Sequence, residues 1–130
     1  MAQSGRGTGG QARLSPVAIV WGLVLAFGLT MVAGAAMGLT AAWSAWDVTP
    51  GALRGAAYGS VAIAGFYAGR RARSWAWLHG GLVGALFLVV GSLALVPGYS
   101  LVQLASGAGV ARLALAFAAG SVGGIMARLR

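Results

Sequence analysis

Four side chains in this sequence could do chemistry in or beside an apolar segment: Arg54, Arg112, His79 and Asp47. Arg54 and Arg112 each stand 16 residues ahead of a later arginine, Arg70 and Arg128, and the two pairs are offset from each other by 58 residues. A guanidinium presents a planar fork of donors, so two of them suit an anion, a lipid phosphate or the carboxylate of Asp47. The plainer role is anchoring. Sixteen helical residues cover roughly 24 Å, not far short of a hydrocarbon thickness of about 30 Å. Each arginine can then snorkel to an interface and avoid a cost of about 2.5–3.5 kcal/mol or more at the bilayer centre.

His79 is the one histidine, and the chain has no cysteine. With no second histidine and no intramembrane carboxylate, one chain cannot assemble a metal site or a proton relay, and a packing or interfacial role is the simpler one. Asp47, the one acid, reads as a solvated turn residue or a partner for Arg54, because catalytic duty would need a companion. There is no Walker loop, zinc-protease helix or nucleophile elbow. The expectation is a protein without catalytic, cofactor or metal residues, and not an enzyme.

The elements that must carry these residues are apolar. In 130 residues, 59 % are hydrophobic and 8 % charged, against about 45–50 % and about 25 % in soluble domains. Mean hydropathy is +0.86, and one small core could not bury so much apolar surface, so lipid must be the main solvent. The sequence pI of about 11.9 would fit nucleic acid only if the basic groups shared one exposed face. They sit between apolar segments instead, so nucleic acid is not an expected partner.

The fold expected is all-α, a polytopic membrane protein of four transmembrane helices arranged as two helical hairpins. Residues 1–16 read as a flexible cytoplasmic tail and 17–130 as the transmembrane domain, with spans at about 17–43, 52–69, 75–96 and 110–127. Ser15-Pro16 supplies an N-cap and a first-turn proline, Pro50-Gly51 and Pro97-Gly98 supply turns, and Leu101 to Gly109 is left open as loop, interfacial turn or early helix. Arg6 and Arg13 ahead of an apolar run ending in Ala33-Gly34-Ala35 imitate a cleavable signal peptide. The run is too long for the usual apolar core of about 7–15 residues, so a retained helix is expected.

Four crossings gather Arg6, Arg13, Arg70, Arg71, Arg73, Arg128 and Arg130 on one side, leaving Arg54, Arg112 and Asp47 on the other. The positive-inside rule then makes both termini cytoplasmic. Trp21, Trp43, Trp46, Trp75 and Trp77 all fall near expected span ends, where indole rings prefer to lie.

Glycines recur at four-residue spacing: Gly34 and Gly38, Gly55 and Gly59, Gly65 and Gly69, Gly80 and Gly84, Gly120 and Gly124. Such faces let membrane helices pack closely, within one bundle or between subunits. The spacing of 58, with Gly22-Leu23-Val24 recurring as Gly81-Leu82-Val83, is compatible with two hairpins in parallel repeat, although such matches arise easily in an Ala/Gly/Leu/Val-rich chain.

The stretch Gly65 to Phe87, GFYAGRRARSWAWLHGGLVGALF, together with Gly123-Gly124, resembles a family of short uncharacterised four-span membrane proteins of Gram-positive bacteria, often called YrzE-like. The shared features are a Gly-x-x-Ala-Gly-basic turn, a Leu-His-Gly opening of the third helix and a Gly-Gly near the end of the fourth. The resemblance implies four helices and places His79 in a recurring motif, but brings no mechanism with it. The expected protein is a multi-pass resident of the bacterial plasma membrane, acting through helix contacts with the bilayer, its own copies or a larger membrane partner. The alternative is a small channel or transporter subunit whose Arg54 and Arg112 line an outward-facing anion vestibule.

Overall fold

The computed structural model describes residues 14–45, 47–72 and 74–129. Residues 1–13 of the expected tail, with Arg6 and Arg13, and also Trp46, Arg73 and Arg130, lie outside the described residues; the last residues of that tail, Ser15 and Pro16, cap and open α1. Among the described residues five helices follow one another: α1 (Pro16–Trp43), α2 (Pro50–Arg71), α3 (Ala76–Leu95), α4 (Leu101–Ala105) and α5 (Gly107–Met126).

Local chemistry sets most of the boundaries. The Ser15 hydroxyl caps α1 by accepting from Ala18 N–H, and Thr49 caps α2 by accepting from Ala52 N–H; a proline opens each helix, where its missing N–H costs nothing. Arg70 and Arg71 close α2, where cations favour the negative end of the helix dipole. Ser100 and Gln103 form a reciprocal capping box on α4, and Ser106 caps α5 through Gly109 N–H. The stretch from Leu101 to Gly109 is thus a one-turn helix joined to a longer one, and α5 begins three residues ahead of the expected Val110.

Polar side chains inside the helices return their hydrogens to the preceding turn. Thr30 donates to the Ala26 carbonyl, Thr40 to Ala36 and Ser60 to Ala56, each at 2.8 Å.

Three helices, α1, α3 and α5, are long and apolar enough to cross a membrane. The second expected span, α2, is 22 residues long but carries Arg54 and many small residues, and does not meet the same apolar standard. The helices alternate in direction. Gly65 and Gly69 of α2 meet Gly120 and Gly124 of α5 in rising order, so α2 and α5 are parallel; Gly84 and Gly80 of α3 meet Ala116 and Gly120, so α3 and α5 are antiparallel. Ser15 with His79 and Phe27 with Phe87 make α1 and α3 parallel.

The core is made of small residues. Ala26, Ala64, Ala68 and Val83 are fully buried in one cluster, with Ile19, Leu25 and Phe87 packed against it. A methyl on Gly22 would come within 2.8 Å of Val83 Cγ2 and 3.1 Å of Ala68 Cβ, and one on Gly69 within 2.9 Å of Gly124 Cα. These helices meet backbone to backbone, which only glycine and alanine allow.

Packing is also lopsided. Buried positions are Ala18 to Ala26 on α1, Ser60 to Gly69 on α2, Ala76 to Gly84 on α3 and, on α5, Gly109 followed by Ala116 to Gly124. All but Gly109, which packs on α4, lie at the end that bears Arg70 and Arg71. At the other end the helices part, and from Phe27 to Trp43 α1 has no buried residue.

Candidate functional site

At the tight end, His79 is 1 % exposed and links the starts of α1 and α3. Its Nδ1 lies 3.1 Å from the Trp75 carbonyl, and its Nε2 accepts from the Ser15 backbone N–H at 2.9 Å. A carbonyl can only accept and an N–H can only donate, so the ring that satisfies both is neutral with its proton on Nδ1. Trp75 holds a left-handed backbone, φ 55°, the one non-glycine residue with positive φ among those described. Its carbonyl thereby receives Leu78 N–H, His79 N–H and the imidazole together. His79 thus docks the start of α1, with both ring nitrogens engaged within the chain.

At the parted end, α2, α3 and α5 enclose a cleft of about 380 Å³ lined by Arg54, Ala57, Tyr58, Phe87, Leu88, Arg112, Leu115 and Ala116. Bringing Arg54 and Arg112 together follows from the α2–α5 register. Gly65 against Gly120 is an offset of 55 residues and Ala62 against Gly123 one of 61, so parallel helices in this register set residues 58 apart at one level. Both arginines are exposed, and neither makes an ion pair or hydrogen bond among the described residues. Asp47 is exposed in the α1–α2 connection and pairs with neither. A second, more apolar cavity of about 430 Å³ lies between α1 and α3 and shares Phe87 and Leu88 as walls.

Tyr58, Phe87, Leu88 and Leu115 were not marked by sequence. The 58-residue spacing could have matched the arginines to each other, but nothing in an apolar run marks which neighbours face them. The five glycine pairs divide cleanly. Gly65 and Gly69, Gly80 and Gly84, and Gly120 and Gly124 are consumed by contacts within the chain, whereas Gly34, Gly38, Gly55 and Gly59 have nothing within 4 Å of where a Cβ would stand.

The 58-residue correspondence holds for some contacts and not for others. The contact of Gly65 with Gly120 has its 58-residue counterpart in that of Gly123 with Ala62. Gly22, however, faces Ala64, Ala68 and Val83, while Gly81 faces Phe117 and Ser121, so α1 and α3 are not used alike.

No curated protein and no solved structure matches this chain. A family model described as "Protein of unknown function (DUF3792)" matches residues 15–127, which include every helix, the histidine dock and both arginines of the cleft, and the chain belongs to that family.

Proposed function

We propose that this is a small four-span protein of the bacterial plasma membrane, without enzymatic activity, that works by associating through the open half of α1 with a second membrane helix, from its own copy or from a larger partner. The observation that carries this is the division of the glycine pairs. Gly34 and Gly38 repeat the spacing that elsewhere in the chain brings backbones into contact, yet they face nothing. Around them Met31 is 75 % exposed and Trp43 83 %. An α1 of 28 residues is about 42 Å long, so its outer half extends past the packed core with small residues on an available face, as close helix association requires.

Four crossings are supported by direction. If α1 and α3 cross the bilayer the same way, α2 between them must return, despite its lower apolarity. Cytoplasmic termini are supported by the basic end, where Arg70, Arg71 and Arg128 gather. The narrower YrzE-like affiliation belongs to this proposal too, and rests on the Gly65 to Phe87 stretch and Gly123-Gly124.

The test is native mass spectrometry of the gently solubilised protein, which reports stoichiometry and retained partners together. A dimer or a stable complex is expected. A monomer with no protein attached, under conditions that preserve a control membrane dimer, counts against association.

A further inference from the structure

We propose that the cleft between α2, α3 and α5 is a binding site for a phosphate-type oxyanion, held as the headgroup of an anionic phospholipid. The inference rests on membrane residence but not on association through α1.

Two arginines from different helices line one cavity, at the end where the bundle opens. Neither has an anionic partner among the described residues, and Asp47, the chain's single acid, does not reach them. Two like charges beside apolar walls raise each other's cost unless a counter-charge sits between them. Simple snorkelling of two separate arginines does not require that they share a cleft; the α2–α5 register makes them share one. The planar forks can hold phosphate oxygens bidentately, which a lysine could not do.

The rest of the lining selects an amphiphile over a bare ion. Tyr58 can offer its hydroxyl beside the arginines, whereas Phe87, Leu88 and Leu115 are apolar. Phe87 and Leu88 also wall the neighbouring apolar cavity between α1 and α3, so hydrocarbon-compatible surface adjoins the charged site. A volume of about 380 Å³ is at the lower end of small-ligand sites, about 300–1,000 Å³, which suits a glycerophosphate group with its chains outside.

The full-length protein would be titrated in detergent with phosphatidylglycerol or phosphatidylcholine, and bound lipid counted by native mass spectrometry. Expected is one phosphatidylglycerol retained in preference to phosphatidylcholine, with affinity falling about tenfold or more for each of Arg54→Gln and Arg112→Gln. Arg70→Gln with Arg71→Gln, at the opposite end, should leave that retention unchanged. Equal retention by the wild type and a folded Arg54→Gln/Arg112→Gln double variant overturns the site. Binding of inorganic phosphate alone, lost in the same double variant and indifferent to added phosphatidylglycerol, overturns the lipid source and assigns a free anion. A chain that stays dispersed without detergent sinks the membrane reading instead.

Discussion

A methyl group on Gly65 would collide with the backbone carbonyl of Gly120. That single approach sets how closely α2 and α5 run, and with it the register that puts Arg54 and Arg112 on one cleft. The helices have no bulky side chains between them at this point, so the contact cannot be relieved by a rotamer change and must move backbone.

Gly65→Ala is therefore expected to destabilise the fold by about 1–3 kcal/mol, the usual cost of overpacking. Gly59→Ala, only six residues away but facing open space, should be neutral or slightly stabilising, because alanine is the better helix former by roughly 0.5–1 kcal/mol. Thermal unfolding in detergent would compare them. Equal behaviour of the two variants would refute the α2–α5 contact.

His79→Phe should weaken the attachment of α1 while roughly preserving volume. The ring would still fill the site, but the Ser15 N–H that now reaches Nε2 at 2.9 Å would lose its acceptor, at a cost of about 1–3 kcal/mol. Hydrogen exchange at the first turn of α1 should accelerate in the variant, with little change at Gly120. Unaltered protection of the Ser15 and Ala18 amides would show that the histidine does not hold the helix.

Gly34→Leu with Gly38→Leu is expected to leave the monomer fold intact, since a Cβ at either position would meet no other part of the chain within 4 Å. Association should fall. Energy transfer between labelled copies in lipid vesicles, or co-purification with a membrane partner, would report it. If association survives both substitutions while the helix content stays constant, the open half of α1 is not the interface.

Single cysteines at Ala45 and Ser74 would test the number of crossings, and the chain's lack of cysteine makes each label unambiguous. Ala45, beyond the end of α1, should label from the outside, and Ser74, in the α2–α3 turn, from the cytoplasm. Labelling of Ala45 by a membrane-impermeant reagent from the cytoplasmic side would overturn the proposed topology.

Helix limits were largely readable in advance because their causes are local. Ser15-Pro16 and Thr49-Pro50 cap and open α1 and α2 within one turn of their own sequence, and Pro97-Gly98 follows the end of α3. The start of α5 was less visible, because Ser100 and Ser106 are both good caps and only the structure shows that each is used. The left-handed Trp75 had no signal at all. Its backbone is held by three hydrogens converging on one carbonyl, and one of them comes from a side chain four residues on.

What this sequence determined by itself is an all-helical chain with apolar segments long enough for a bilayer, because hydropathy, caps and turn residues act over a few neighbouring positions. Only the tertiary structure decided which glycines pack and which stand open, and that Arg54 and Arg112 share a cleft. In water the inward face of a helix is marked by being apolar, but in a membrane helix every face is apolar, so hydrophobic period does not mark rotation about the axis. That rotation is chosen by close contact between backbones, here by Gly65 on Gly120 and Gly69 on Gly124, and it exists only once the helices are side by side.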